Sequence, residues 1–184
     1  MIILLTIFKV HLNIIYAILK LFPTKKNRVL FLSRQFDHPS NDFLLIKDEL
    51  LRQDSSIEIR MITRKIGKSI PKKICYYFVI LRQMYHIATS KTCVVDSYII
   101  PVSILNHKKS LKVIQIWHAT SAVKKFGYQT LDKQYGRDAK IANIMKMHNN
   151  YDIILSGSKE MIKYFSEAYN TDESKFVVLY LPSI

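Results

Sequence analysis

The stretch "RVLFLSRQFDHPSNDFLLIKDELLRQDSSIEIRMIT", Arg28 to Thr63, decides the fold. It opens on "RVLFLS", a short unbroken apolar run of the kind found in strands buried on both faces. "PSNDFLLIKDELLRQD" then repeats apolar residues at helical spacing, with Ser40 or Asn41 placed to cap the first turn and Asp42 on the favourable side of the helix dipole. "IEIRMIT", Ile57 to Thr63, reads as a second strand. Strand, helix, strand in this order predicts a parallel pair, because parallel neighbours need a crossover that a tight turn cannot supply.

The same rhythm continues downstream. A basic loop with Arg64, Lys65, Lys68, Lys72 and Lys73 leads into a helix where Ile74, Tyr77, Phe78, Leu81, Tyr85 and Ala88 recur at helical spacing, and that stripe is expected to face the core. "TCVVD" predicts a third strand ending at Asp96, "LKVIQIWH" a fourth ending at His118, and "YDIILSGS" a fifth. Ser158 is placed to cap the helix "KEMIKYFSEAYN", and "KFVVLYL" predicts a last strand. The expectation is an α/β fold, a Rossmann-like parallel sheet flanked by helices over residues 28–184, with no internal repeat.

Lys and Arg number 28 against 14 Asp and Glu, giving a formal charge of +14 on 184 residues. Such a surface recruits phosphate-bearing partners. Nucleic acid is not the expected one, since the basic residues are spread over several loops without an RNP, KH or helix-turn-helix signature. Four glycines, Gly67, Gly127, Gly136 and Gly157, leave no GxGxxG or GxxxxGK[ST] motif, so no bound dinucleotide or P-loop nucleotide is expected. Cys75 and Cys93 lack CxxC spacing and read as two reduced, buried thiols. His11, His38, His86, His107 and His148 are scattered and form no HExxH or His–Cys set, so no metal site is expected.

Ahead of the sheet lies "MIILLTIFKVHLNIIYAILKLF", Met1 to Phe22, closed by Pro23 and followed by Lys25, Lys26 and Arg28. It lacks the leading charge and small-residue end of a signal peptide. On a helical wheel Thr6, Lys9, Asn13 and Lys20 share a sector of roughly 60°, and the remainder is apolar apart from His11. That arrangement favours a helix lying in an anionic membrane interface over one that spans it, with residues 1–27 forming an interfacial helix and basic linker. A helix packed on the domain's own core, or on a partner, is the alternative.

Ligands of open parallel sheets bind beyond the carboxyl ends of the strands. Arg34 follows the first strand, Asp96 the third, Trp117, His118 and Thr120 the fourth, and Ser156 and Ser158 the fifth. His118 is the candidate general base, since imidazole accepts a proton near neutral pH; the bland alternative is a partly buried ring held by a backbone carbonyl. Lys124 and Lys125 either cradle a phosphate or form a solvated basic face. Asp96 either orients His118, binds a substrate hydroxyl, or caps a helix.

"QIWHATSAVKKFG" resembles the "WHGTP…K" segment of the CDP-glycerol glycerophosphotransferases that build teichoic acid and related polymers. "VVDSYIIP" resembles their preceding strand and loop, and "YDIILSGSKEMIKYFSEAYN" with "VVLYLPSI" their following block, so the likeness runs from Arg28 to Ile184. Ala119 stands where glycine is usual, and Ser121 where proline is. The resemblance implies the N-terminal, acceptor-side half of a GT-B-like architecture, without its donor-binding second domain. It implies His118 as the base that deprotonates an acceptor hydroxyl. Arg34, Asp96, Trp117, Thr120, Lys124, Lys125, Ser156 and Ser158 then bind substrate, with no cofactor. The implied partners are CDP-glycerol, held through a missing or separate half, a glycerol-phosphate or lipid-linked acceptor, and the anionic cytoplasmic face of the plasma membrane. A non-catalytic membrane- or partner-binding module that keeps the fold is the rival.

Overall fold

A computed structural model describes residues 2–67, 69–117 and 124–179. β1 (Lys25–Ser33), α2 (Asn41–Gln53) and β2 (Glu58–Thr63) form the crossover unit read from the opening stretch, after α1 (Ile2–Leu19). Then come α3 (Ile70–Thr89), β3 (Ser90–Val95), α4 (Ile100–Ile104), β4 (Lys112–Gln115), α5 (Ala139–Ile144), β5 (Ile153–Ser156), α6 (Lys159–Tyr169) and β6 (Phe176–Val178). The six strands make one sheet in the order β2-β1-β3-β4-β5-β6, every described pair parallel. The chain therefore steps outward from β1 to β2, then returns past β1 to β3 and onward. The reversal opens a crevice between the carboxyl ends of β1 and β3.

Alternation along the strands assigns the helices to faces. Phe31 and Val94 point to the side covered by α2, where the Phe31 and Phe43 rings meet edge-on at 5.0 Å between centroids. Leu30, Leu32, Cys93, Val95, Val113 and Ile154 point to the other side, into one cluster with Leu12 and Tyr16 of α1, Ile80, Met84 and Ile87 of α3, and Phe165 and Tyr169 of α6. Ser40 caps α2, its hydroxyl accepting from the Phe43 N–H at 3.3 Å. Register joins β1 to the edge strand β2 electrostatically: Arg28 faces Glu58, and the buried guanidinium bonds that carboxylate at 3.0 Å and Thr89 at 2.6 Å.

Several expectations change. Of the stripe expected to be buried in α3, Ala88 is buried and Tyr77 and Leu81 pack against the core, but Ile74 is 57% and Phe78 62% exposed, while Tyr76, Ile80, Gln83, Met84 and Ile87 are buried. The helix is apolar on two faces, and spacing alone cannot say which meets the sheet. Cys93 is buried, but Cys75 lies on the outward side of α3 and is exposed. The basic residues expected as a linker open β1 instead, and Lys25 pairs with Glu58 at 3.2 Å. β4 is shorter than predicted because Trp117 takes a left-handed backbone (φ 60°) and its N–H turns to the Gln115 side-chain oxygen at 2.9 Å. Of the expected last strand, 175–181, β6 spans Phe176–Val178, and residues 180 and 181 lie outside the described residues, as does Lys68 of the basic loop.

α1 packs on the domain through Leu12 and Tyr16 and runs beside α3, where the His11 ring bonds the Tyr77 hydroxyl at 2.8 Å. Part of its polar sector turns to the protein: the Lys9 ammonium donates to the Ile144 carbonyl at 2.9 Å, satisfying the end of α5, while Thr6 is exposed. The arc left outward is apolar, Ile3, Leu4, Ile7, Val10, Ile14, Ile18 and Leu21, with exposures from 52% at Val10 to 83% at Leu21.

Candidate functional site

The site is built where the sheet reverses. Arg34 leaves β1 and its backbone N–H donates to the Ser97 hydroxyl at 3.3 Å, tying the ends of β1 and β3 together. Asp96 and Ser97 are both buried at that end of β3. One residue on, the Tyr98 ring is buried and its hydroxyl donates to the Met145 carbonyl at 3.3 Å, which fixes the ring at the mouth of the crevice.

The opposite wall is the loop from Lys124 to Asp138. Phe126 stacks on the Trp117 indole at 4.4 Å, and Trp117 also meets the edges of Phe165 and Tyr169. Gly127 has φ +57° and sits so close to the Ala168 carbonyl that a Cβ would collide with it; Gly136 is likewise pressed on the Thr130 carbonyl. Two aspartates shape the return. The Asp132 carboxylate accepts from the Ala139 N–H at 2.8 Å, and its own N–H donates to the Arg137 carbonyl at 2.9 Å. Asp138 caps α5 through the Ile141 N–H at 3.0 Å. Arg137 is thereby held over the crevice.

These walls enclose a cavity of about 270 Å³ lined by Arg34, Tyr98, Lys125, Phe126, Arg137 and His148, among others. Both guanidiniums lie over the Tyr98 ring, Arg34 at 4.9 Å and Arg137 at 5.3 Å from its centroid. Burial, reinforced by the neighbouring Arg137 charge, lowers the Arg34 pKa from its ordinary value. Burial also pushes the Tyr98 phenol up to about 12, so it stays protonated, and burial with the two guanidiniums holds His148 down to about 3, so it stays neutral. Beyond β2, Arg64, Lys65 and Lys72 line a second hollow of about 370 Å³ with Cys75 and Tyr76.

Of the residues singled out in the sequence, Arg34 and Lys125 share the main cavity, with Asp96 buried at the neighbouring strand end. Lys124 is exposed and does not line it. Trp117 packs into the aromatic cluster behind Phe126. Ser156 is buried at the end of β5, its hydroxyl donating to the Ser158 carbonyl at 2.8 Å. Ser158 occupies the cap position of α6 without a side-chain capping bond. His118 and Thr120 lie outside the described residues, as do Ala119 and Ser121. Tyr98, Arg137 and His148 were not expected in the site. Arg137 sits in a loop with no period to read, and only tertiary hydrogen bonds bring it to Arg34.

A family profile described as CDP-glycerol:poly(glycerophosphate) glycerophosphotransferase matches residues 14–183. The teichoic acid ribitol-phosphate primase of Bacillus spizizenii is 30% identical over 162 residues, covering 88% of this chain and 41% of that protein. The teichoic acid glycerol-phosphate primase of Bacillus subtilis is 28% identical over 103 residues, covering 56% of this chain and 27% of its own length. Among solved structures, the wall teichoic acid polymerase TagF matches with a TM-score of 0.65 at 14% identity, over 98% of this chain and 47% of that one, a likeness of fold. The chain spans less than half the length of these relatives. With the profile running through almost all of its residues, the chain belongs to the CDP-glycerol:poly(glycerophosphate) glycerophosphotransferase family.

Proposed function

We propose that this chain is the acceptor-side half of a membrane-associated glycerophosphotransferase that extends teichoic acid or a related cell-surface polymer. The observation that carries this reading is the family match through residues 14–183, laid over a sheet whose carboxyl edge gathers Arg34, Asp96, Ser97 and Lys125. A solved TagF variant bears CDPG, which supports CDP-glycerol as the donor. In the proposed reaction His118 takes the proton of an acceptor hydroxyl, whose oxygen attacks the glycerol-linked phosphorus of CDP-glycerol. The bond from that phosphorus to the CMP oxygen breaks, and CMP leaves. Such transfers rest on positioning and charge stabilisation, the part assigned to Arg34, Lys124 and Lys125, while Asp96, Thr120, Ser156 and Ser158 are assigned to substrate hydroxyls. Trp117 holds the wall that carries Phe126.

The donor-binding half is assigned to a separate or continuing polypeptide. The test is CMP release from CDP-glycerol with a glycerol-phosphate-primed lipid, run with this chain alone and with a family donor-binding half added. Release that needs this chain and disappears in His118→Ala, by about 10²-fold or more, supports the reading. No release in either mixture overturns it in favour of a non-catalytic module.

Membrane attachment is proposed through α1 on the cytoplasmic face. Its outward apolar arc is accompanied by exposed Ile70, Ile74 and Phe78 on α3, and Lys26, Lys72 and Lys73 are exposed for anionic headgroups.

A further inference from the structure

The cavity at the strand reversal has an electrostatic character that the rest of the fold does not require. Arg34 is half-buried and Arg137 shares the same aromatic ring, yet none of the described ion pairs involves either guanidinium. None of the described side-chain hydrogen bonds uses them either. Withdrawing a guanidinium from water without an anionic partner is unfavourable, and placing a second cation beside it adds repulsion. The lowered Arg34 pKa follows from the same burial and the same neighbour. Lys125 adds a third positive group to the wall, and neutral His148 adds no compensating negative charge. The arrangement is half of an ion cluster.

We propose that Arg34, Arg137 and Lys125 bind one phosphate group of the anionic acceptor, the group adjoining the hydroxyl that reacts, with Tyr98 holding the two guanidiniums in a fork around it. Planar guanidiniums present paired N–H donors that match phosphate oxygens, and stacking on an aromatic ring fixes their planes. The size of the cavity suits a small anionic group. About 270 Å³ admits a phosphate with a glycerol unit. The assignment of the phosphate to the acceptor rests on the transferase reading; the anion site itself does not.

The chain contains a single tryptophan, Trp117, and its indole stacks on Phe126 of the cavity wall, so its fluorescence reports occupancy. The experiment titrates the 184-residue chain with sn-glycerol 3-phosphate, with glycerol, and with CDP-glycerol. Glycerol 3-phosphate is expected to saturate the signal and glycerol to leave it unchanged. Arg137→Gln is expected to weaken glycerol 3-phosphate binding by at least about tenfold, with Arg137→Lys recovering part of it. Lys140→Gln, an exposed charge change on α5 away from the cavity, is expected to bind as the parent does. Arg137 is on an exposed loop, and circular dichroism of each variant checks that the fold is kept. Equal affinity of Arg137→Gln and the parent, or no saturation by glycerol 3-phosphate, overturns the proposal. So does a dependence on Arg137 seen only for CDP-glycerol, which makes this a donor site. Saturable, Arg137-dependent binding without any CMP release keeps the anion site and removes the transferase reading.

Discussion

His148 shows how a residue set aside in the sequence becomes informative once its surroundings are known. It is buried with a left-handed backbone (φ 61°), its Nδ1 lies 3.2 Å from the Tyr151 hydroxyl, and its ring is 4.7 Å from that of Tyr169. Burial first, then the charges of Arg34 and Arg137, hold its pKa near 3 against the ordinary 6.5. The unfolded chain therefore binds a proton that the folded chain refuses once the pH falls below about 6.5. Stability is predicted to drop as the pH falls through the window from 6.5 towards 3, by up to about 1.4 kcal/mol per pH unit from this residue. His86, held near 4 by burial and then by nearby arginines, adds to the loss in the same direction. Urea denaturation at pH 7 and pH 5 measures it, and the difference should shrink in His148→Phe. At Gly127, alanine is predicted to cost about 1–2 kcal/mol for the left-handed backbone alone. Collision with the Ala168 carbonyl adds to that and displaces Phe126, readable as a shift in Trp117 emission.

Among the elements, strands and cap positions were legible, while the inward face of a doubly apolar helix was not. β1, α2 and β2 follow from Arg28–Thr63 because a buried strand, a Ser40 cap and a crossover leave few alternatives. α3 and α1 each carry two apolar faces, and the sheet selected the one that local spacing did not. Phe43 is the only fully buried side chain of α2, so Phe43→Ala is predicted to destabilise the fold by about 3–5 kcal/mol, measured by denaturant titration. Leu45 on the same helix is 68% exposed, and Leu45→Ala should stay within about 0.5 kcal/mol. The outward arc of α1 belongs to the same scale. Ile7→Asp with Ile14→Asp is predicted to abolish co-sedimentation with anionic vesicles while leaving the denaturation midpoint close to the parent's, because both side chains are already in solvent.

Across the whole molecule, the strand order explains why so many candidate residues lie on one edge. With every described strand pair parallel, all the carboxyl ends point one way, and the reversal between β1 and β3 leaves room for Arg34 to reach Tyr98. That edge could be foreseen from alternation alone. The partnership of Arg34 with Arg137 could not, because about a hundred residues separate them and two aspartate-braced turns decide where the second one lands.

The two guanidiniums over the Tyr98 ring also bear on how the protein survives heat. A chain that keeps the half-buried Arg34 beside the charge of Arg137 sacrifices robustness at the spot where its ligand arrives, so Arg34→Met should melt at a higher temperature than the parent while losing its response to glycerol 3-phosphate. In the natural chain, the same ligand should raise the melting temperature, making occupancy a condition of durability as well as of chemistry.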